Sequence, residues 1–161
     1  YPKNMNFLDI NVLDKFIEDI NIAGSIFSKA NKVLCYHNHA LEFQKINQEI
    51  ILERIYNNTD NKYIQGEPDV YWIQKGGHDP ISWCKKLKNR LPLIHLKDFI
   101  MLNEHESYYA EIGNGNLDIK NIVKEAELSG CKWYIVEQDE CQGDPFISIE
   151  TSFNNLLKFV T

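Results

Sequence analysis

Four short stretches gather the residue types that can bind a divalent cation or move a proton: His37-Asn38-His39, Glu67-Pro68-Asp69, His95-Leu96-Lys97-Asp98 and Glu137-Gln138-Asp139. Each closes an apolar, β-prone run. The donors on offer are imidazole and carboxylate without thiolate, a set that suits Mn²⁺, Mg²⁺, Co²⁺ or Zn²⁺. An ion held by them polarises a carbonyl or hydroxyl oxygen of a substrate, and neighbouring carboxylates can then serve as acid and base. A single histidine or glutamate at a strand end is ordinarily a surface group or a hydrogen-bonded one. The same coincidence at four consecutive strand ends points to a shared site.

The elements that would position these groups alternate along the chain. An opening helix is expected from Asn11 to Phe27, where apolar residues recur at helical spacing. Strands are expected from Lys32 to His39, Lys62 to Glu67, Leu91 to Asp98 and Lys132 to Glu137, with helices over 50–56, 81–89, 118–128 and 148–160. Asp79-Pro80 provides an N-cap followed by proline at the first helical position, and Gly130 a helix stop. Residues 99–116 read as a long polar and aromatic loop. The strand starts at 32, 62, 91 and 132 are separated by 30, 29 and 41 residues, the rhythm of βα units in a parallel sheet. In such folds the ligand sits beyond the carboxyl ends of the strands. Strand alternation puts Leu93, His95 and Lys97 on one face, and Trp133, Ile135, Glu137 and Asp139 on another, both suited to a barrel interior. Asp98 points the opposite way and is expected to cap the loop that follows.

Composition narrows the function classes. Seventeen basic against twenty-three acidic residues give a net charge of -6, which disfavours binding to nucleic acid through phosphates. No apolar run approaches the roughly 20 residues of a membrane span. The start, Tyr1 to Asn6, reads as neither a signal peptide nor a natural N-terminus. Cys35, Cys84, Cys131 and Cys141 are widely spaced without a C-x-x-C pair, so they are read as small apolar side chains in a reducing cytoplasm. Gly113-Asn114-Gly115 lacks the third glycine of a dinucleotide loop.

The motifs Tyr36-His-Asn-His-Ala-Leu-Glu-Phe43, Asp69-Val-Tyr-Trp72 with Gly77-His-Asp-Pro80, Leu93-Ile-His-Leu-Lys-Asp98, Glu111-Ile-Gly-Asn-Gly-Asn-Leu-Asp118 and Val136-Glu-Gln-Asp139 resemble, in order, those of the xylose isomerase-like TIM barrels of the sugar phosphate isomerase/epimerase group. The resemblance covers roughly residues 30 to 140. It implies an α/β fold, a partial (β/α)8 barrel whose four parallel strands correspond to barrel strands 5–8, within one domain over 1–161. It also implies one divalent metal, Mn²⁺ foremost, on a Glu, Asp, His and Glu set. Carried over by position, the ligands are Asp69, His95 and Glu137. Glu42 is chosen for the first place by residue type, with His37 or His39 as the alternatives.

The resemblance further implies that Glu137 and Glu42 act as acid and base and that Lys97 stabilises an enolate oxygen. His37, His39, Trp72, Lys97 and Glu111 are expected to meet substrate. His78 and His105 are expected to be exposed, and Tyr108 and Tyr109 to form part of a lid. The implied function is a metal-dependent sugar isomerase or epimerase acting through an enediolate on a sugar or keto-sugar. A dehydratase on the same scaffold is the nearest rival, and phosphodiester hydrolysis a more distant one disfavoured by charge. A TIM barrel takes about 250 residues. The chain therefore matches about the C-terminal half to two-thirds of one, and an inactive half-barrel, self-associated through its exposed edges, is the non-catalytic reading.

Overall fold

The computed structural model describes residues 5–160, so the first four residues weighed above as a leader and the final Thr161 lie outside the described part. Helix α1 (Ile10–Lys29) starts where the Asp9 carboxylate accepts the Asn11 N–H, and it buries Leu13, Ile17 and Gly24. Gly24 is required by proximity: a Cβ there would stand 2.7 Å from Ile64 Cδ1 and 2.8 Å from the Tyr63 carbonyl oxygen.

Strand β1 (Leu34–His37) leads through a 3₁₀ turn (Leu41–Phe43) to a small hairpin of β2 (Lys45–Ile46) and β3 (Glu49–Ile50). Asn47 and Gln48 make the hairpin's two-residue turn with φ of 50° and 69°. Helix α2 (Ile51–Asn57) precedes β4 (Ile64–Glu67), which pairs in parallel with β1 from Leu34↔Ile64 to His37↔Glu67. Strand β5 (Leu93–Leu96) pairs in parallel with β8 (Trp133–Val136), from Leu93↔Trp133 to Leu96↔Val136.

The two pairs are stitched together by the His95 N–H to Pro68 O bond (3.0 Å), the Gly66 N–H to Arg90 O bond (2.7 Å) and a parallel bridge between Asp69 and His95. The order is thus β1-β4-β5-β8. All four carboxyl ends fall on one rim.

Helix α4 (Pro80–Lys86) begins at the expected Asp79-Pro80 signal and α5 (Ile119–Leu128) at Asp118. Gly130, with φ of 105°, follows α5 as its stop. The last helix, α6 (Pro145–Leu156), starts three residues earlier than expected, because Asp144-Pro145 repeats the cap-and-proline signal. A short helix, α3 (Val70–Lys75), capped by Asp69, was not foreseen: six residues are too few to show periodicity. The core lies between sheet and helices, with Ile64, Ile94 and Leu96 meeting Ile73, Trp83, Leu87, Ile122 and Val123. The opposite face is open, as in part of a barrel: Trp133 is 68% exposed and Ile135 38%. No helix of the described residues is long and apolar enough to cross a membrane.

Residues 99–116, expected to be loop throughout, instead contain an antiparallel hairpin of β6 (Asp98–Met101) and β7 (Ser107–Ala110). Its turn is fixed by Asn103 Oδ1, which accepts the His105 and Glu106 N–H groups. After β7 the chain wraps around Asp98. The fully buried Asp98 carboxylate accepts the N–H groups of Phe99, Gly113, Gly115 and Leu117 at 2.9–3.1 Å. A Cβ at Gly115 would collide with that carboxylate, and Gly113 has φ of 84°. The glycines therefore serve a carboxylate-centred loop. Replacing Asp98 by Ala leaves these donors unsatisfied and is expected to cost about 3 kcal/mol or more, read as a lowered denaturation midpoint. Native-state hydrogen exchange should accelerate first at Gly113, Gly115 and Leu117.

Candidate metal centre

Strand parity decides which side chains reach the rim. Gln65, Glu67 and Asp69 follow one parity in β4 and beyond it, as do His95 and Lys97 in and after β5. Beyond Glu67, Pro68 ends the strand and Asp69 caps α3, its Oδ1 accepting the Trp72 N–H at 3.0 Å. The Asp69 backbone N–H is held by Oδ1 of the fully buried Asn38, at 3.2 Å. One carboxylate oxygen thus serves the helix, and the other faces the rim.

His37, Asp69, His95 and Glu137 each offer one ligand atom, and these atoms all lie within 4.8 Å of one another. Asp69 Oδ2 is buried and has no hydrogen-bond partner among the described residues. It stands 3.9 Å from His37 Nε2, 4.0 Å from His95 Nδ1 and 3.7 Å from Lys97 Nζ. These gaps are too long for hydrogen bonds. They match two ligand atoms sharing one ion, since bonds of about 2.0–2.2 Å each separate the atoms by up to about 4.2 Å. The residues fit a divalent cation.

His95 is gripped from both sides. Its Nδ1 lies 2.9 Å from Glu137 Oε2 and its Nε2 2.9 Å from Glu67 Oε1. Burial lowers its pKa, but the two carboxylates outweigh this and leave it above the ordinary imidazole value. With Nδ1 given to an ion, Nε2–H remains donated to Glu67, the arrangement that fixes a ligating histidine's tautomer. His37 behaves oppositely: burial, then repulsion from His95 and His39, pulls it down to about 4, so it is neutral near pH 7 and able to ligate. Burial raises Asp69 to about 6, partly opposed by the Trp72 N–H and by Lys97.

Lys97 is only 2% exposed, yet its ammonium stays charged. Burial lowers its pKa, but Asp69, Asp139 and Glu137 raise it more. Its Nζ lies 3.2 Å from Glu137 Oε2 and 3.1 Å from Asp139 Oδ2. The ammonium also sits over the rings of Trp72 (5.5 Å) and Tyr109 (5.6 Å). Asp139 is further hydrogen-bonded to Tyr109. The β6–β7 hairpin thereby brings Tyr109 to the site, with Tyr71 packed beside it at 5.2 Å.

Of the residues singled out in the sequence, Asp69, His95, Glu137 and Lys97 are brought together, with Trp72 beside them. His37 joins them as a member of the four. His39 stacks on Trp72, ring centres 4.8 Å apart. Glu42, the first ligand expected by residue type, is not one of the four. The 3₁₀ turn folds it back so that Oε1 accepts the Tyr36 O–H (2.9 Å) and Oε2 the His39 N–H (3.1 Å). Glu111 is turned to α6, accepting the Ser148 O–H at 2.8 Å. His105 is exposed, but His78 is half-buried, stacked on Phe43 at 4.8 Å.

Glu67 and Asp139 were legible as strand-end carboxylates, and Asp139 as inward-facing, but not as partners of His95 and Lys97. Parity alone could have selected both. Replacing Glu67 by Gln removes the anchor of His95 and is expected to weaken divalent-metal affinity roughly 10–100-fold, measured by calorimetric titration, with the circular dichroism spectrum unchanged.

No family model matches the sequence. Inosose dehydratase of Geobacillus thermodenitrificans (strain NG80-2) is 25% identical over 150 residues, covering 83% of this chain and 50% of that protein. A sugar phosphate isomerase/epimerase from Parabacteroides distasonis ATCC 8503 is similar in structure with a TM-score of 0.82 and 31% identity, over 94% of this chain and 54% of that one. A xylose isomerase domain protein from Alicyclobacillus acidocaldarius shares the fold, with a TM-score of 0.70 at 13% identity over 94% of this chain and 58% of that one. The chain thus spans about half the length of the proteins it matches. With four parallel strands alternating with helices, the chain has the fold of part of the xylose isomerase-like TIM barrels, and a sugar phosphate isomerase/epimerase is among its structural neighbours.

Proposed function

We propose that this chain provides the catalytic rim of a divalent-metal-dependent sugar isomerase or epimerase that removes a proton next to a carbonyl. The observation that carries the reading is the buried, unpartnered Asp69 Oδ2 among His37, His95 and Lys97, with Glu137 at the open edge. A bound ion supplies polarisation of the substrate oxygens and so acidifies the neighbouring C–H. Glu137, 39% exposed in its side chain, is accessible to substrate and takes the proton. Lys97, held charged by Asp69, Glu137 and Asp139, stabilises the developing enediolate oxygen. Epimerisation needs a second group to return the proton. Glu42 is engaged with Tyr36 and His39, and Asp139 is held ionised by Lys97 and Tyr109, so the charged Lys97 ammonium is assigned that role and regains its proton from Glu137, 3.2 Å away. Trp72 and His39 form the apolar wall against which a sugar ring would lie.

A dehydratase is supported by the name of the curated relative, inosose dehydratase. Both reactions begin with the same proton removal and diverge in whether a β-hydroxyl then leaves. The cluster of His37, Asp69, His95 and Glu137 supports one divalent ion, for which Mn²⁺, Mg²⁺, Co²⁺ and Zn²⁺ are the candidates. A small-molecule rather than nucleic-acid substrate accords with the net charge of -6, and a reducing cytoplasm with the four free cysteines. Self-association is supported by the exposed Trp133, Ile135, Phe146 and Phe153. A light-scattering mass of 18.8 kDa for the protein would remove that part of the reading.

Incubation of the metal-loaded protein with keto-sugars in D₂O separates the two reactions. Recovered substrate or its epimer carrying deuterium at one carbon supports epimerisation, whereas a product lighter by one water supports the lyase. Neither outcome in any keto-sugar tried would contradict both. Glu137→Gln is expected to lower turnover about 10²–10⁴-fold in either reaction.

A further inference from the structure

The resemblance implies three carboxylates and one imidazole around the ion, but the group found here has two of each: His37, Asp69, His95 and Glu137. Glu42, the carboxylate that would have completed the former set, is fully buried, and both its oxygens are taken, one by the Tyr36 O–H and one by the His39 N–H. Its backbone is fixed in the 3₁₀ turn Leu41–Phe43. His37, in contrast, is the last residue of β1, in register with Glu67 and with its ring centre 4.4 Å from that of His95. Asp69 Oδ2, on a side chain of zero exposure, has no hydrogen-bond partner among the described residues and faces His37 Nε2 at 3.9 Å.

We infer that His37 replaces the expected glutamate as a metal ligand and that the resulting two-imidazole, two-carboxylate site selects nitrogen-preferring ions of the Fe²⁺, Co²⁺ and Zn²⁺ class over Mn²⁺ and Mg²⁺. The inference rests on the metal-dependent reading above and concerns which ion that site takes. Two physical terms drive it. Exchange of a carboxylate for an imidazole removes one negative charge and a hard oxygen donor, and hard cations depend on both. The Lys97 ammonium, 3.7 Å from Asp69 Oδ2 and 3.2 Å from Glu137 Oε2, lowers the negative potential further. What remains is donor preference, in which imidazole favours the later first-row ions.

Nearly every site binds Co²⁺ more tightly than Mn²⁺, so the informative quantity is how their affinity ratio changes with residue 37. The metal-free protein is titrated calorimetrically with Co²⁺ and with Mn²⁺, as the wild type and as His37→Glu. Restoring a third carboxylate should reduce the Co²⁺-to-Mn²⁺ affinity ratio about tenfold or more, mainly by strengthening Mn²⁺. The Co²⁺-loaded wild type should also show two hyperfine-shifted, solvent-exchangeable imidazole N–H resonances by proton NMR. His37→Gln should show one, and Glu42→Gln should keep both. An unchanged ratio in His37→Glu overturns the inference, as does a His37→Gln protein with both resonances or a Glu42→Gln protein that alone loses the ion. In those cases the metal-dependent reading survives. Absence of binding to either ion by the wild type ends both.

Discussion

One buried carboxylate sets the terms for the rim of this sheet. Asp69 is fully buried, and its two oxygens have different fates: Oδ1 closes the first turn of α3, and Oδ2 points among three nitrogens without bonding to any. A carboxylate removed from water is costly unless it is paired. Lys97, at 3.7 Å, offsets part of that cost, and burial still moves the Asp69 pKa up to about 6. On the metal-dependent reading, an added cation would complete the compensation. The helix cap, the Asn38 bond to the Asp69 amide and the bridge to His95 prevent the carboxylate from relaxing away.

The surroundings follow from parallel strands that end together. Because β1, β4, β5 and β8 run the same way, their terminal side chains meet on one rim, and alternation selects His37, Glu67, His95 and Lys97 for it. The loops then divide the work. Asp98, of opposite parity to Lys97, gathers the backbone N–H groups of the loop after β7. That hairpin in turn carries Tyr109 to Lys97 and Asp139. Two adjacent residues, Lys97 and Asp98, thus build the site's charge and the loop beside it.

Much of this was legible from sequence because it depends on local rules. The strand ends, the shared faces of His95 with Lys97 and of Glu137 with Asp139, the capping role of Asp98 and the helix start at Asp79-Pro80 all follow from alternation and turn chemistry. The first ligand was not, since a choice among Glu42, His37 and His39 depends on how the chain turns after β1, and a three-residue 3₁₀ turn with a buried Tyr36 contact leaves no periodic trace. The β6–β7 hairpin was hidden by a polar tip between two short aromatic runs, and α3 by its length. The bonds that Glu67 and Asp139 make to His95 and Lys97 join distant strands, and only the fold brings them together.

The central claim is that Asp69 is held, at a cost, for a cation, and thermal unfolding with and without a divalent ion tests it most directly. Without metal, Asp69→Asn is predicted to unfold at or above the wild-type temperature, because the buried charge is gone. On adding Co²⁺ the wild type is predicted to gain stability as RT ln(1 + [L]/Kd), about 2.7 kcal/mol at a hundredfold excess over Kd, and Asp69→Asn to gain little. Equal stabilisation of both proteins by the ion, or of neither, would contradict the claim.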